Sequence, residues 1–102
     1  MQLIVEFDCY ADMLDVPSAV VEERDLLKKK FLNWLYCPKS HHTHFQYILD
    51  SHGHRTKCIV YGSEEFVDWL NKKILRTRDA KAVISERNID VDMYPGAPLL
   101  CF

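Results

Sequence analysis

All five histidines of this 102-residue chain fall between His41 and His54, at His41, His42, His44, His52 and His54, with Cys37 and Cys58 on either side. Imidazole and thiolate are good zinc ligands, and three or four of them suffice for a tetrahedral site. Cys37, His41, His42 and His44 lie within one short stretch and form the candidate metal set, with zinc as the cofactor it would take. His52 and His54 bracket Gly53 in a turn and are read as partner-contacting residues. No set reproduces a C-x₂-C…H-x₃₋₅-H spacing. The plainer reading is therefore a pair of solvated, imidazole-rich loops that gain charge as pH falls through about 6.5, with no cofactor required.

Three carboxylates, Asp8, Asp12 and Asp15, follow the first apolar run. Alone they read as solvated loop residues. Asp8, at the end of a first strand, resembles the metal-binding Asp of Cas2-type nucleases. That resemblance covers one residue and a fold expectation, and it implies an alternative function: a metal-dependent or nucleic-acid-processing protein. Lys28-Lys29-Lys30 spans most of a helical turn; such a run can touch phosphates, but it more simply forms the solvated side of an amphipathic helix.

No G-x-G-x-x-G, P-loop, G-x-S-x-G or H-E-x-x-H occurs. A Cys–His dyad drawn from Cys37 and His41, or Cys58 and His54, has no third group to orient it. The expectation is a non-enzymatic protein.

The elements that must position these residues follow from periodicity. Leu3, Val5, Phe7 and Cys9 alternate with Glu6 and Asp8, as a half-buried strand does. Ala11–Asp15 breaks that pattern and reads as a loop. Pro17 suits a helix start, and Val20, Leu27, Phe31, Trp34 and Leu35 form one stripe of a helix from Ser18 to Tyr36. Lys28–Lys30 is placed late in it, in accord with the helix dipole, and Pro38 ends it.

His44–Asp50 and Lys57–Tyr61 read as a β-hairpin around Ser51-His52-Gly53-His54. Ser63, as cap, and Glu64-Glu65 start a second helix with the stripe Phe66, Val67, Leu70 and Ile74. Arg76 and Arg78 fall near its end. Ala82–Ile84 is a short fourth strand, and 86–102 a C-terminal extension on a core of 1–85, all within one domain.

This order, β-α-β-β-α-β, is that of a ferredoxin-like α/β sandwich. It places two helices on one face of a four-stranded antiparallel sheet whose first and third strands are central. Phe31-Leu32-Asn33-Trp34-Leu35 echoes Phe66-Val67-Asp68-Trp69-Leu70, as two related halves would. The other sheet face is expected to be open and to present Glu6, Gln46 and Tyr61 to a partner.

Composition narrows the function. Hydrophobic residues are 48% and charged residues 27%, an ordinary globular balance. Thirteen basic and fifteen acidic residues give a net charge of -2. The basic excess that phosphate binding requires is missing, so nucleic acid is not the favoured partner. The chain begins without a signal-peptide pattern and contains no apolar run of spanning length. That gives the expectations of a cytoplasmic location, no membrane partner and reduced cysteines, with Cys9, Cys58 and Cys101 acting as small hydrophobes. The leading expectation is a small protein that binds and regulates or inhibits another macromolecule, a protein in the first instance. Inhibitors, immunity proteins and phage- or mobile-element-encoded modulators are of this type. A homodimer through the open face or an added C-terminal strand is a further arrangement such a fold allows.

Overall fold

A computed structural model describes residues 1–37, 51–53 and 61–102 in full and residues 45–49 and 55–59 as backbone; 38–44, 50, 54 and 60 lie outside the described residues. The elements are β1 (Gln2–Glu6), β2 (Ala11–Asp15), α1 (Ser18–Glu22), α2 (Arg24–Leu35), β3 (Phe45–Leu49), β4 (Arg55–Ile59), α3 (Ser63–Trp69), β5 (Val83–Glu86) and β6 (Leu99–Cys101). The protein is a mixed α/β structure with a four-stranded sheet ordered β5-β2-β1-β6.

The sheet is mixed, not wholly antiparallel. β2 runs antiparallel to both β1 and β5, while β6 runs parallel to β1. Its strands also differ from those a ferredoxin-like βαββαβ order requires. The β3–β4 hairpin pairs Phe45 with Ile59 through Leu49 with Arg55 and forms a separate two-stranded sheet. Its place is taken by Ala11–Asp15, read from sequence as a loop, and by Leu99–Cys101, read as an extension. The central strands are therefore β1 and β2. The cause of the first misreading is local. β1 turns back through a two-residue loop, Asp8-Cys9, closed by the Phe7 N–H donating to the Tyr10 carbonyl at 2.8 Å. That loop has none of the Asn-Gly or Gly-X chemistry that marks a tight hairpin.

Register sorts the side chains. Leu3 lies opposite Leu14 and Ile4 opposite Met13, so Leu3, Val5 and Leu14 share one face while Ile4, Ala11 and Met13 share the other. The first face packs under the helices, against Val20, Leu27, Phe31, Leu35, Phe66 and Leu70. Of the expected stripes, Val20, Leu27, Phe31 and Leu35 are fully buried, as are Phe66 and Leu70; Trp34, Val67 and Ile74 are partly buried. The sequence echo is realised as packing: the Phe31 and Phe66 rings meet edge to face at 5.2 Å.

The second face, expected to be open, is covered. Ile4, Ala11 and Met13 are buried against Ile89, Val91, Tyr94 and Ala97. The segment after β5 starts at one edge of the sheet and crosses this face to reach β6 at the opposite edge. Backbone bonds pin both ends, Ile89 N–H to the Ala11 carbonyl and Ile4 N–H to the Pro98 carbonyl, each 2.9 Å. Gln46 belongs to the separate hairpin and so shares no sheet with Glu6.

The helices depart from expectation in four ways. The helix from Ser18 breaks at Glu23 (φ -104°, ψ 19°), and the Arg24 guanidinium donates to the Val21 carbonyl at 2.7 Å, satisfying an acceptor at the break. α2 runs to Leu35, so Lys28–Lys30 lies mid-helix and not in its last turn. α3 continues as a π turn (Leu70–Ile74), closed by the Leu75 N–H on the Leu70 carbonyl at 2.7 Å. This wider turn brings Leu70 and Leu75, five residues apart, into the same core. Lys81, and not Arg76 or Arg78, donates to the helix-end carbonyls of Leu75 and Arg76.

β6 is an edge strand, and its edge is capped from α2. Parallel pairing directs the Phe102 N–H to the Glu6 carbonyl at 2.8 Å, which leaves the Leu99 and Cys101 carbonyls facing outward. Arg24 Nε donates to the first at 3.3 Å and Lys28 Nζ to the second. The spacing matches: four helical residues rise about 6 Å, and two strand residues about 6.6 Å. Filling these acceptors blunts the edge against strand addition. Cys101 is exposed on this strand and Cys9 on the β1–β2 loop, so neither acts as the buried hydrophobe expected. Among the described residues no helix is long and apolar enough to cross a membrane.

If β6 is integral to the core, Leu100, 2% exposed, should carry stability. Leu100→Ala is expected to lower unfolding free energy by about 2–5 kcal/mol in urea titrations. Leu99→Ala, on the exposed side, should change it by no more than about 0.5 kcal/mol.

Candidate functional site

Polar and aromatic side chains, Glu6, Phe7, Asp8, Tyr10, Tyr61 and Phe102 among them, line the end of the sheet at the β1–β2 loop. Three clefts meet there, and Tyr10 lines all of them. The first, about 360 Å³, lies between Tyr10, the start of α3 and Arg87-Asn88. The second, about 250 Å³, is lined by Phe7, Asp8, Cys9, Tyr10, Tyr61 and Phe102. The third, about 300 Å³, runs from Glu6 and Asp8 to Asp90 and Asp92.

The floor of the first cleft is a buried carboxylate. Asp12 is 2% exposed. Its Oδ1 accepts the Asn88 N–H at 2.9 Å, and its Oδ2 accepts the Ser63 hydroxyl. Ser63 is itself 2% exposed; it is the first helical residue, and its hydroxyl reaches across to β2 instead of capping α3. The Gly62 N–H is satisfied by Glu65 Oε2 at 2.9 Å. A Cβ on Gly62 would collide with the Tyr10 hydroxyl, so Gly62 permits that close approach. Asn88 takes φ +53°, a left-handed conformation that Asn tolerates better than most residues. Both carboxylate oxygens of Asp12 are engaged and Ser63 is sealed in, so this group is a clamp joining β2, α3 and the segment after β5.

Above it the rings form a continuous cluster. Phe7 stacks on Tyr10 at 5.1 Å and on Phe102 at 5.0 Å. Phe31 meets Tyr61 and Phe102 edge-on at 5.9 and 6.0 Å, which ties the surface rings to the core. The Tyr61 hydroxyl is pushed above the ordinary tyrosine range, first by burial and then by the negative charges of ionised Tyr36 and of Asp8. On the covered face, Tyr94 donates to Glu86 Oε2 at 2.7 Å, and that bond raises its pKa, followed by desolvation and the Glu86 charge. Charge at this end is one-sided. Arg87 is the only cation among the described residues lining the three clefts, and it is paired with Glu64 at 2.6 Å.

Of the residues singled out from sequence, Glu6 and Tyr61 come to this end, each lining a cleft with Tyr10. His52 is exposed in the hairpin turn, where Gly53 adopts φ +79° as expected; His54 lies outside the described residues. Cys37 is half-buried just beyond α2, and His41, His42 and His44 lie outside the described residues. Among the described residues no group of three or more His, Cys, Asp or Glu is placed to hold a metal ion. Asp8 is exposed on the hairpin loop, Asp15 pairs with the amino group of Met1 at 3.0 Å, and Asp12 is buried, not solvated. Sequence reasoning missed Tyr10, Asp12 and Ser63 as a group; no local pattern joins positions 51 residues apart. Compared with known proteins, the chain matches no family model, no curated protein and no solved structure.

Two outcomes follow. Asp12→Ala leaves the buried Ser63 hydroxyl and the Asn88 N–H without their acceptor and should cost on the order of 3 kcal/mol in denaturant titration; Asp12→Asn, which keeps one acceptor, should cost less. A double cycle with Ser63→Ala should give a coupling of about 1–3 kcal/mol. For the tyrosines, the phenol is neutral when protonated and its folded pKa is the higher one. Their contribution is intact below about pH 10, the unfolded value, and is lost as pH rises through the folded values, because the unfolded chain ionises first. Spectrophotometric titration of tyrosinate should show a late component that Tyr94→Phe reduces and that Glu86→Gln shifts toward the ordinary range.

Proposed function

We propose that this chain is a non-enzymatic binding module that regulates or inhibits another protein, and that it does so through the end of the sheet centred on Tyr10. The convergence of three clefts on one tyrosine, 36% exposed and backed by Phe7, carries this reading. Aromatic side chains dominate binding energy at protein interfaces because they bury a large area at little conformational cost. Tyr10 has that chemistry, and the Asp12 clamp and the Phe7 stack hold its surroundings in place before any partner arrives, which reduces the ordering cost of association. The acidic rim, Glu6, Asp8, Glu64, Asp90 and Asp92, opposes nucleic acid and favours a partner with a basic surface.

Expressed in its native cells and immobilised, the protein should retain a stoichiometric protein partner. Tyr10→Ala and Asp8→Lys should each lose it while circular dichroism stays unchanged. Equal retention by all three proteins would remove the site from this end. Metal-dependent nucleic-acid cleavage abolished by Asp8→Ala would replace this reading with the nucleic-acid-processing one.

A further inference from the structure

We propose that the loop from Arg76 to Lys81, beyond the end of α3 and its π turn, is a contact surface for the phosphate backbone of a nucleic acid. The proposal is independent of the Tyr10 end, which lies at the start of the same helix, and adds a second kind of partner to the molecule.

Charge is concentrated there. From Lys72 to Lys81 the chain places five of its thirteen cations, Lys72, Lys73, Arg76, Arg78 and Lys81, against one carboxylate, Asp79. All five cations are exposed. Among the described residues only Lys72 of the five has an ion pair, with Asp68 at 3.0 Å. The net charge of -2 does not oppose this reading. Glu64 belongs to the acidic end, and the path from it to Ile74 along α3 and the π turn is roughly 15 Å. That is about twice the Debye length of ~8 Å at physiological salt, so repulsion from the acidic end is largely screened at the loop.

The loop is fixed before any partner arrives. Leu75 and Ala82, each 1% exposed, anchor its ends in the core. Asn71 clasps Ala82 twice: its side-chain amide donates to the Ala82 carbonyl at 2.9 Å, and its side-chain oxygen accepts the Ala82 N–H at 2.8 Å. The Arg78 N–H closes a turn on the Leu75 carbonyl at 3.1 Å. Lys81 Nζ fills the carbonyls of Leu75 and Arg76. This last contact decides whether an anion can approach. A helix C-terminus carries partial negative charge; Lys81 offsets it and leaves Arg76 and Arg78 without a capping role. Two exposed arginines then stand on a fixed turn, with exposed Thr77 between them in sequence.

The chemistry of the loop selects phosphate. A guanidinium pairs with phosphate oxygens through two parallel N–H bonds, and a threonine hydroxyl is a further backbone contact. Arg76–Lys81 contains no aromatic and no large apolar residue. The anchors that dominate protein–protein binding are therefore missing, and so are rings on which bases stack. Contact is with the backbone and independent of base sequence.

The test titrates the full chain into short fluorescein-labelled single strands of two unrelated sequences and follows anisotropy between about 50 and 200 mM salt. Both strands should bind alike, with log affinity falling linearly with log salt by about 0.7 per phosphate contacted. Arg76→Ala and Arg78→Ala should each weaken binding about threefold and make the slope shallower by about one contact, with circular dichroism unchanged. Asp79→Asn should tighten binding. Lys30→Ala, at an exposed cation of α2, should leave it unchanged. No binding at the lowest salt overturns the proposal. So do equal losses from Arg76→Ala, Arg78→Ala and Lys30→Ala, which would report overall charge and not this loop. Binding to vesicles of anionic lipid without binding to either strand overturns it as well.

Discussion

The structure depends on one constraint: β1 is buried on both faces. Leu3, Ile4 and Val5 are consecutive and each no more than 1% exposed. A strand with water on one face exposes every second residue, so three in a row require cover above and below. Helices supply it on one side and the 87–98 segment on the other. The same burial requires a paired strand on each side, because an unpaired N–H or carbonyl in that position is costly. β2 meets the requirement on one edge of β1 and β6 on the other. The edge then passes to β6, whose outward carbonyls are taken up by Arg24 and Lys28.

The second organising feature is the Asp12 clamp. A carboxylate this deeply placed needs every acceptor site it can fill, and its two partners come from the start of α3 and from beyond β5. It fixes three segments distant in sequence around the β1–β2 loop. The loop can then carry exposed aromatic and acidic residues without depending on them for its own position. Phe31 does the corresponding work for the rings. It touches Tyr61, Phe66, Trp69 and Phe102 at 5.2 to 6.0 Å, so the surface cluster is an outgrowth of the core and not a set of loose side chains.

Residue patterning by itself determined the strands and helices whose hydrophobic period is local. β1, the buried stripes of α2 and α3, the Gly53 turn and the β3–β4 hairpin follow from spacing, from Gly at a positive φ and from Pro-bounded segments. It pointed to Glu6 and Tyr61 for an open sheet face; that face is covered by the segment after β5, and the two residues line clefts at the β1–β2 end instead. Tertiary structure alone decided which strands share a sheet. Ala11–Asp15 has a loop-like period because both of its faces are covered, and Leu99–Cys101 is too short to announce itself. Tertiary structure alone brought Asp12 to Ser63 and Asn88, and Phe7 to Phe102. Such pairings join residues many positions apart, and their energy comes from burial that exists only once the chain has closed; no local spacing encodes it.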